Sequence, residues 1–117
     1  MIVYGLKNCD TCRNAIKWLK AESIDHTFQD FRKDGLNADS IRCWLQAVGV
    51  DTLLNRRGTT WRNLDEAQKQ FNSDQDLVTL ILKHPALIKR PVFENAESVI
   101  VGFKDEQKTA LKNLLAS

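Results

Sequence analysis

The order of elements in the first 31 residues constrains the fold of this chain more than any other feature. Residues 2–6 (Ile-Val-Tyr-Gly-Leu) are short and rich in β-forming side chains, which predicts a first strand. Residues 11–21 carry apolar side chains at helical spacing, and residues 24–31 alternate in part as a strand does. So short a strand–helix–strand unit is a βαβ crossover, which requires parallel strands.

The middle of the chain predicts a block of helices. Asn37 is expected to cap a helix that ends at Gly49. A second helix is expected on the apolar stripe of residues 61–71, made by Trp61, Leu64, Ala67 and Phe71. Ser73 begins a capping box for a third helix, which Pro85 ends.

The last third returns to strands. Residues 91–94 and 98–103 predict two strands, and the short link at residues 95–97 permits only an antiparallel hairpin. A final helix is expected over residues 105–116, with its apolar side chains buried: Ala110, Leu111, Leu114 and Leu115. The order βαβ, helical block, ββα predicts an α/β fold with a four-stranded mixed sheet. The 117 residues suit one domain, 1–117, with a helical insertion at about 37–88.

Composition excludes several classes of protein. A net charge of +2 gives no case for direct nucleic acid binding. No apolar run approaches the ~20 residues that span a bilayer, and the first residues lack the pattern of a signal peptide. Three cysteines, two of them only three positions apart, argue against a secreted disulfide framework. We expect a cytoplasmic monomer that does not bind membranes.

The pair Cys9-Asp10-Thr11-Cys12 lies where the first strand gives way to the first helix, which is typical of a thioredoxin-like redox motif. Free backbone N–H groups and the helix dipole at that point favour a thiolate. Cys9 is therefore the expected nucleophile, and Cys12 is the expected resolving thiol. A second interpretation stays open, in which Cys9 alone reacts and Cys12 only packs.

The other candidate residues have simpler interpretations. A zinc site would need a second ligand pair, and His26 and His84 lack the required spacing, so no metal is expected. Cys43 lies off the apolar stripe of its helix and is interpreted as structural. Arg90, directly before Pro91, can stabilise a thiolate or bind an oxyanion through two hydrogen bonds. Taken alone, Arg90 is better interpreted as an ordinary surface arginine. Arg56 and Arg57 form a further basic spot ahead of Gly58, which is equally well interpreted as a solvated charge pair.

Together these residues resemble the arsenate reductase (ArsC)–Spx–YffB family over nearly the whole chain, and the pattern is most similar to YffB-type members. The resemblance is carried by residues 4–5 (Tyr-Gly), 8–15 (Asn-Cys-Asp-Thr-Cys-Arg-Asn-Ala), 53–57 (Leu-Leu-Asn-Arg-Arg), 84–91 (His-Pro through Lys-Arg-Pro) and 101–103 (Val-Gly-Phe). It implies a thioredoxin-like fold with a helical insertion. It also implies a cis peptide bond between Arg90 and Pro91.

The resemblance implies roles for individual residues. Cys9 matches the catalytic cysteine of the arsenate reductases, and Arg90 matches an arginine that lines their oxyanion site. Arg56, or Arg57 in the neighbouring register, matches a second such arginine. The third arginine of those enzymes is absent near residues 101–103, which weakens the case for arsenate. The expected catalytic residues are Cys9, Cys12 and Arg90, and the expected substrate or glutathione contacts are Asn8, Thr11, Arg56, Arg90 and Pro91.

The resemblance to YffB-type members implies a thiol–disulfide oxidoreductase that uses glutathione as co-substrate and binds no cofactor. Its implied partners are glutathione and a thiol, disulfide or oxyanion substrate, with glutaredoxin as a further partner. Two alternatives follow from the other branches of the family. One is an arsenate reductase coupled to glutathione or glutaredoxin. The other is an Spx-like redox-sensing transcriptional regulator, which docks on RNA polymerase.

Overall fold

The computed structural model describes residues 1–96 and 98–116. The chain folds as two compact units. One combines Met1–Asp34 with Arg90–Ser117 and contains the sheet, and the other, Gly35–Lys89, contains helices. The interpretation of the chain as a single domain with an insertion at about 37–88 stays a prediction.

The sheet has four strands in the order β2-β1-β3-β4. The first strand pairs in parallel with the second and antiparallel with the third, and the third and fourth form an antiparallel hairpin. The predicted α/β fold with a four-stranded mixed sheet is therefore confirmed. The strands are β1 (Ile2–Gly5), β2 (Thr27–Asp30), β3 (Val92–Asn95) and β4 (Ser98–Val101). Of the predicted hairpin link, Glu97 lies outside the described residues.

The second strand is shorter than the sequence predicts. Residues 22–24 complete the end of the first helix instead of starting a strand, because their backbone N–H groups bond to carbonyls of that helix. The Ile24 N–H, for example, donates to the Leu19 carbonyl at 2.9 Å. Ser23 adopts a left-handed conformation with φ 56° to make this turn. Strand pairing starts only at Thr27.

Two helices pack in the unit that contains the sheet: α1 (Asp10–Ala21) and α6 (Asp105–Ala116). Its core contains side chains from both helices and from the central strands: Val3, Ala15, Leu19, Phe93 and Leu111. Of the α6 residues expected to be buried, Leu111 is buried, whereas Ala110 and Leu114 are half-buried. Leu115 lies outside the described side chains.

The helical unit contains α2 (Ala38–Val48), α3 (Val50–Leu53), α4 (Thr59–Arg62), α5 (Asp74–Lys83) and a 3-10 turn at Pro85–Leu87. Both predicted caps are confirmed. The Asn37 side chain accepts the Ser40 N–H at 2.8 Å, and the Ser73 hydroxyl accepts the Asp76 N–H at 3.1 Å. The capped helices α2 and α5 pack against each other.

The prediction of a helix over residues 61–71 is wrong. Only the single turn α4 forms there, and turns follow it. Asp65 and Gln68 bond reciprocally, since each side chain accepts the other's backbone N–H, at 2.7 and 3.0 Å. This reciprocal pattern is a capping box, so a separate turn starts at Asp65 and the predicted helix is interrupted there. Of the apolar stripe, Leu64 is buried but Ala67 is exposed, so a helix would gain little by burial.

Candidate active site

Cys9 is the residue directly before α1. Its backbone is extended, with φ −107° and ψ 122°, as expected for a helix N-cap. Its carbonyl accepts the Arg13 N–H at 3.0 Å, and its own N–H donates to the Leu6 carbonyl at 3.2 Å. The local sequence therefore folds Cys9 onto the N-terminal end of α1, where it is half-buried.

Three neighbouring groups stabilise the Cys9 thiolate. Partial burial raises the pKa of the Cys9 thiol, but the combined effect of its neighbours lowers that pKa below its ordinary value. The neighbours are the Cys12 N–H, the Arg90 guanidinium and the Cys12 thiol. The Cys12 N–H is close enough to the Cys9 sulfur to lower its pKa. Its geometry is too open for a capping hydrogen bond from the helix to the Cys9 side chain. Arg90 acts both through a hydrogen bond and through its charge.

Cys12 lies one turn into α1 and is 1% exposed. Burial, followed by the hydrogen bond and repulsion from Cys9, raises the pKa of Cys12 to about 12. The Cys12 S–H is therefore the donor toward the Cys9 thiolate. Its sulfur lies tightly against β1, since a Cβ added to Gly5 would be only 2.5 Å from it.

Strand register brings Arg90 to Cys9. Because β3 runs antiparallel to β1 with Val92 opposite Tyr4, the residues ahead of β3 lie beside the residues that follow β1. Arg90 is half-buried at this position, and its bond to Pro91 is cis, as the resemblance implies. The Pro91 carbonyl accepts the Gly102 N–H at 2.9 Å, which links this segment to the residue after β4.

The remaining predicted contacts lie in two places. Asn8 and Thr11 are exposed on either side of Cys9, and Pro91 is buried beside Arg90. Arg56 belongs to the helical unit, where its Nη1 lies 2.9 Å from Asp51 Oδ1 and its guanidinium lies 5.7 Å from the Trp61 ring. Arg57 is exposed there too. A substrate-binding role for these residues stays a prediction.

Two residues near Cys9 are not among the site residues predicted from the sequence. Gly5 leaves room for the Cys12 sulfur, and Asp30, a buried carboxylate at the end of β2, accepts the Lys7 N–H at 2.7 Å. Burial raises the pKa of Asp30. Hydrogen bonds from three backbone N–H groups and the charge of Arg32 lower it by a larger amount, so the pKa lies below its ordinary value. A polar residue at the carboxyl end of a strand parallel to β1 is the signal that points to Asp30.

Within residues 1–96 and 98–116, no group of three or more His, Cys, Asp or Glu side chains could hold a metal ion. No helix in the same ranges is long and apolar enough to cross a membrane.

The model of the ArsC family matches residues 4–111. The chain belongs to the ArsC family. A solved structure of a YFFB protein is 39% identical, covers 93% of this chain and 96% of its own, and superposes with a TM-score of 0.86. A solution structure of an arsenate reductase (ArsC) related protein from Brucella melitensis is 41% identical, with coverage of 93% and 91% and a TM-score of 0.74.

The global transcriptional regulator Spx 2 of Bacillus anthracis is also similar to this ArsC-family chain. It is 24% identical over 92% of this chain and 82% of its own length. The resemblance to the ArsC–Spx–YffB family is thus confirmed, and so is the thioredoxin-like fold.

Proposed function

We propose that this chain is a thiol–disulfide oxidoreductase in which the Cys9 thiolate is the nucleophile and glutathione is the electron donor. One observation carries the proposal: the start of α1, Arg90 and Cys12 all act on the same half-buried sulfur and lower its pKa. The thiolate is the attacking species in thiol–disulfide exchange. Membership of a family that includes an arsenate reductase-related protein supports reductase chemistry.

The first step takes place on a substrate such as a glutathionylated thiol. The Cys9 thiolate attacks the glutathione sulfur, and a new bond forms between Cys9 and that sulfur while the substrate disulfide breaks. The substrate sulfur leaves with the electron pair and takes a proton from solvent. Arg90 contacts the Cys9 sulfur, so its charge can stabilise the negative charge that moves along the three sulfur atoms.

Two routes then restore the Cys9 thiolate. In one, a second glutathione thiolate attacks the bound glutathione sulfur, which releases oxidised glutathione. In the other, Cys12 attacks Cys9 and releases glutathione, and two further glutathiones reduce the Cys9–Cys12 disulfide. Once Cys9 is in a mixed disulfide, its charge no longer raises the pKa of Cys12, but burial still does. Burial of Cys12 favours the first route.

Substrate contacts belong to the same proposal. Asn8 and Thr11 are exposed beside Cys9, which supports a role in binding the substrate or glutathione. The family resemblance supports the same role for Arg56 and Pro91. The proposal also includes a reducing compartment such as the cytoplasm, in which Cys9 and Cys12 stay free thiols. We further propose that the chain acts as a monomer and that glutaredoxin is a further partner.

A reductase assay tests the proposal. Purified wild-type protein and the Cys9→Ser, Cys12→Ser and Cys43→Ser variants are each given a small disulfide, a glutathionylated peptide and arsenate, with and without glutathione. Cys43→Ser is the matched control, because Cys43 is an exposed cysteine outside the motif. We expect glutathione-dependent turnover that Cys9→Ser abolishes, Cys12→Ser retains in part and Cys43→Ser leaves unchanged.

The same panel separates the enzyme candidates. Contacts to charged groups are each worth ~1.5–3 kcal/mol, so the missing third arginine predicts arsenate turnover well below that of the best disulfide. Arsenate turnover at an equal rate would favour an arsenate reductase. Full activity in Cys9→Ser would rule out Cys9 as the nucleophile.

A redox-sensing regulator is the second candidate, and the similarity to Spx 2 is the observation that favours it. In that case a Cys9–Cys12 disulfide would switch a protein contact. The test is binding of the reduced and oxidised chain to purified RNA polymerase. Redox-dependent binding without turnover in the reductase panel would favour the regulator over the enzyme.

A further inference from the structure

A buried carboxylate lies at the end of the strand next to the Cys9 loop. Asp30 is 8% exposed, and it is the one buried charged residue among those whose burial is described, 1–96 and 98–114. It ends β2 and stands opposite Gly5 in the parallel register with β1. Its side chain is therefore at the edge of the sheet where the chain leaves β1 toward Cys9.

The two carboxylate oxygens of Asp30 have separate partners. Oδ1 accepts the N–H groups of Arg32 and Lys33, at 2.7 and 3.0 Å, and so closes the turn that follows β2. Oδ2 accepts the Lys7 N–H at 2.7 Å, from a residue 23 positions earlier in the chain. The first set of bonds is local, whereas the second joins β2 to the segment between β1 and α1.

That segment is short and ends in Cys9. Lys7 lies two residues before Cys9, and the Cys9 N–H bonds within the same segment, to the Leu6 carbonyl at 3.2 Å. We infer that Asp30 is a positioning residue for Cys9: by fixing Lys7 it holds the Cys9 sulfur in place at the start of α1 and beside Arg90. The inference rests on the proposed function, in which Cys9 is the nucleophile.

The direction in which the Cys9 pKa moves when the Asp30 charge is removed distinguishes positioning from simple electrostatic repulsion. An anion near a thiolate disfavours it, so the loss of the Asp30 charge alone would make Cys9 more acidic. Displacement of the Cys9 sulfur has the opposite effect and makes Cys9 less acidic, because the contacts that stabilise its thiolate depend on its place beside α1 and Arg90. A neutral substitution therefore moves Cys9 reactivity in opposite directions under the two explanations.

Asp30→Asn is the test variant. The asparagine oxygen can still accept the Arg32 and Lys33 N–H groups, but its NH₂ group is a donor and cannot accept the Lys7 N–H. Asp34→Asn is the matched control, because it removes the same charge from an exposed carboxylate that accepts the Asp30 N–H. The readout is the rate of Cys9 alkylation by iodoacetamide against pH, with circular dichroism to verify folding.

We expect Asp30→Asn to slow Cys9 alkylation at pH 6.5 by at least about threefold and to move its inflection to higher pH. Asp34→Asn should react as the wild type does. An unchanged profile in folded Asp30→Asn, or an inflection at lower pH, overturns the inference while leaving the role of Cys9 intact. Ordinary Cys9 reactivity in the wild type would instead overturn the proposed function, and this inference with it.

If Asp30→Asn does not fold, a measurement on the wild type tests the Asp30–Lys7 hydrogen bond on which the inference depends. An amide N–H bound to a carboxylate shifts its NMR signal when that carboxylate titrates. We expect the Lys7 amide to follow Asp30 with an inflection below ~3.9, the ordinary aspartate value. A Lys7 amide signal that ignores the titration of Asp30 overturns the inference.

Discussion

Gly5 lies closer to the Cys12 sulfur than any larger residue could. A Cβ at position 5 would be 2.5 Å from Cys12 Sγ, whereas its next neighbours, Cys12 Cβ and Phe28 Cε1, would both be at an ordinary contact distance of 3.5 Å. Gly5→Ala must therefore move the Cys12 thiol or the strand by about 1 Å to restore van der Waals separation. Cys12 is 1% exposed, so little free space surrounds it.

Overpacking of this kind costs about 1–3 kcal/mol of unfolding free energy. Removal of the Cys12 sulfur should remove that cost, since the other contacts are ordinary. In a Cys12→Ala background, alanine at position 5 should be neutral or stabilising, because it orders a strand better than glycine by ~0.5–1 kcal/mol. The difference between the two backgrounds predicts a coupling free energy of about 1–4 kcal/mol between positions 5 and 12.

The assay is a double-mutant cycle by urea unfolding, with thermal melting as a second measurement. We expect Gly5→Ala to lower the Tm by roughly 4–12 °C, at ~4 °C per kcal/mol for a chain of this size. The same substitution in Cys12→Ala should leave the Tm unchanged or raised. An equal loss in both backgrounds, or no loss in either, would refute the packing of Cys12 against Gly5.

Three further predictions concern the same sulfur atoms. Arg90→Gln should move the inflection of Cys9 alkylation to higher pH, because it removes a charged hydrogen-bond donor to the Cys9 sulfur. Arg13→Gln is the control and should not move the inflection, since it removes an exposed cation that pairs with Asp10. An unshifted profile in Arg90→Gln would contradict the role of Arg90. At pH 8, mass spectrometry should find Cys9 labelled by iodoacetamide and Cys12 unlabelled until the chain unfolds, and rapid labelling of native Cys12 would contradict its burial. Because the pKa of Cys12 is about 12 when folded and ~8.5 when unfolded, the contribution of the neutral thiol to stability is full below pH ~8.5 and is lost progressively as the pH rises toward 12. Between pH 8.5 and 10, urea unfolding should show that the free energy of unfolding falls by ~1.7 kcal/mol more in the wild type than in Cys12→Ala, and equal losses would contradict the shift.

Local patterns were sufficient to predict the sheet, the caps and the place of Cys9. Asn37 and Ser73 cap their helices through bonds to residues three positions on, and such spacing is visible in the sequence. The helix predicted over residues 61–71 fails because Asp65 caps a new turn inside the apolar stripe, which the periodicity of that stripe does not show. The reciprocal bonds of Asp65 and Gln68 fix a turn there.

Non-local register explains what the sequence could not reveal. Asp30 reaches Lys7 across 23 residues, and Gly5 faces a cysteine on the next helix. Both relationships depend on how β1 meets β2 and α1, which no local spacing encodes. Arg90 could be singled out beforehand through the family resemblance, whereas its contact with Cys9 follows from the pairing of β3 with β1.

The central claim is that Cys9 is a stabilised thiolate. The most direct test is the pH dependence of iodoacetamide alkylation at Cys9, measured in a Cys43→Ser variant so that the exposed Cys43 thiol does not contribute. Because the Cys12 N–H, Arg90 and the Cys12 thiol together outweigh the effect of partial burial on the Cys9 pKa, we predict an inflection clearly below ~8.5, the ordinary cysteine pKa. An inflection at or above that value would contradict it.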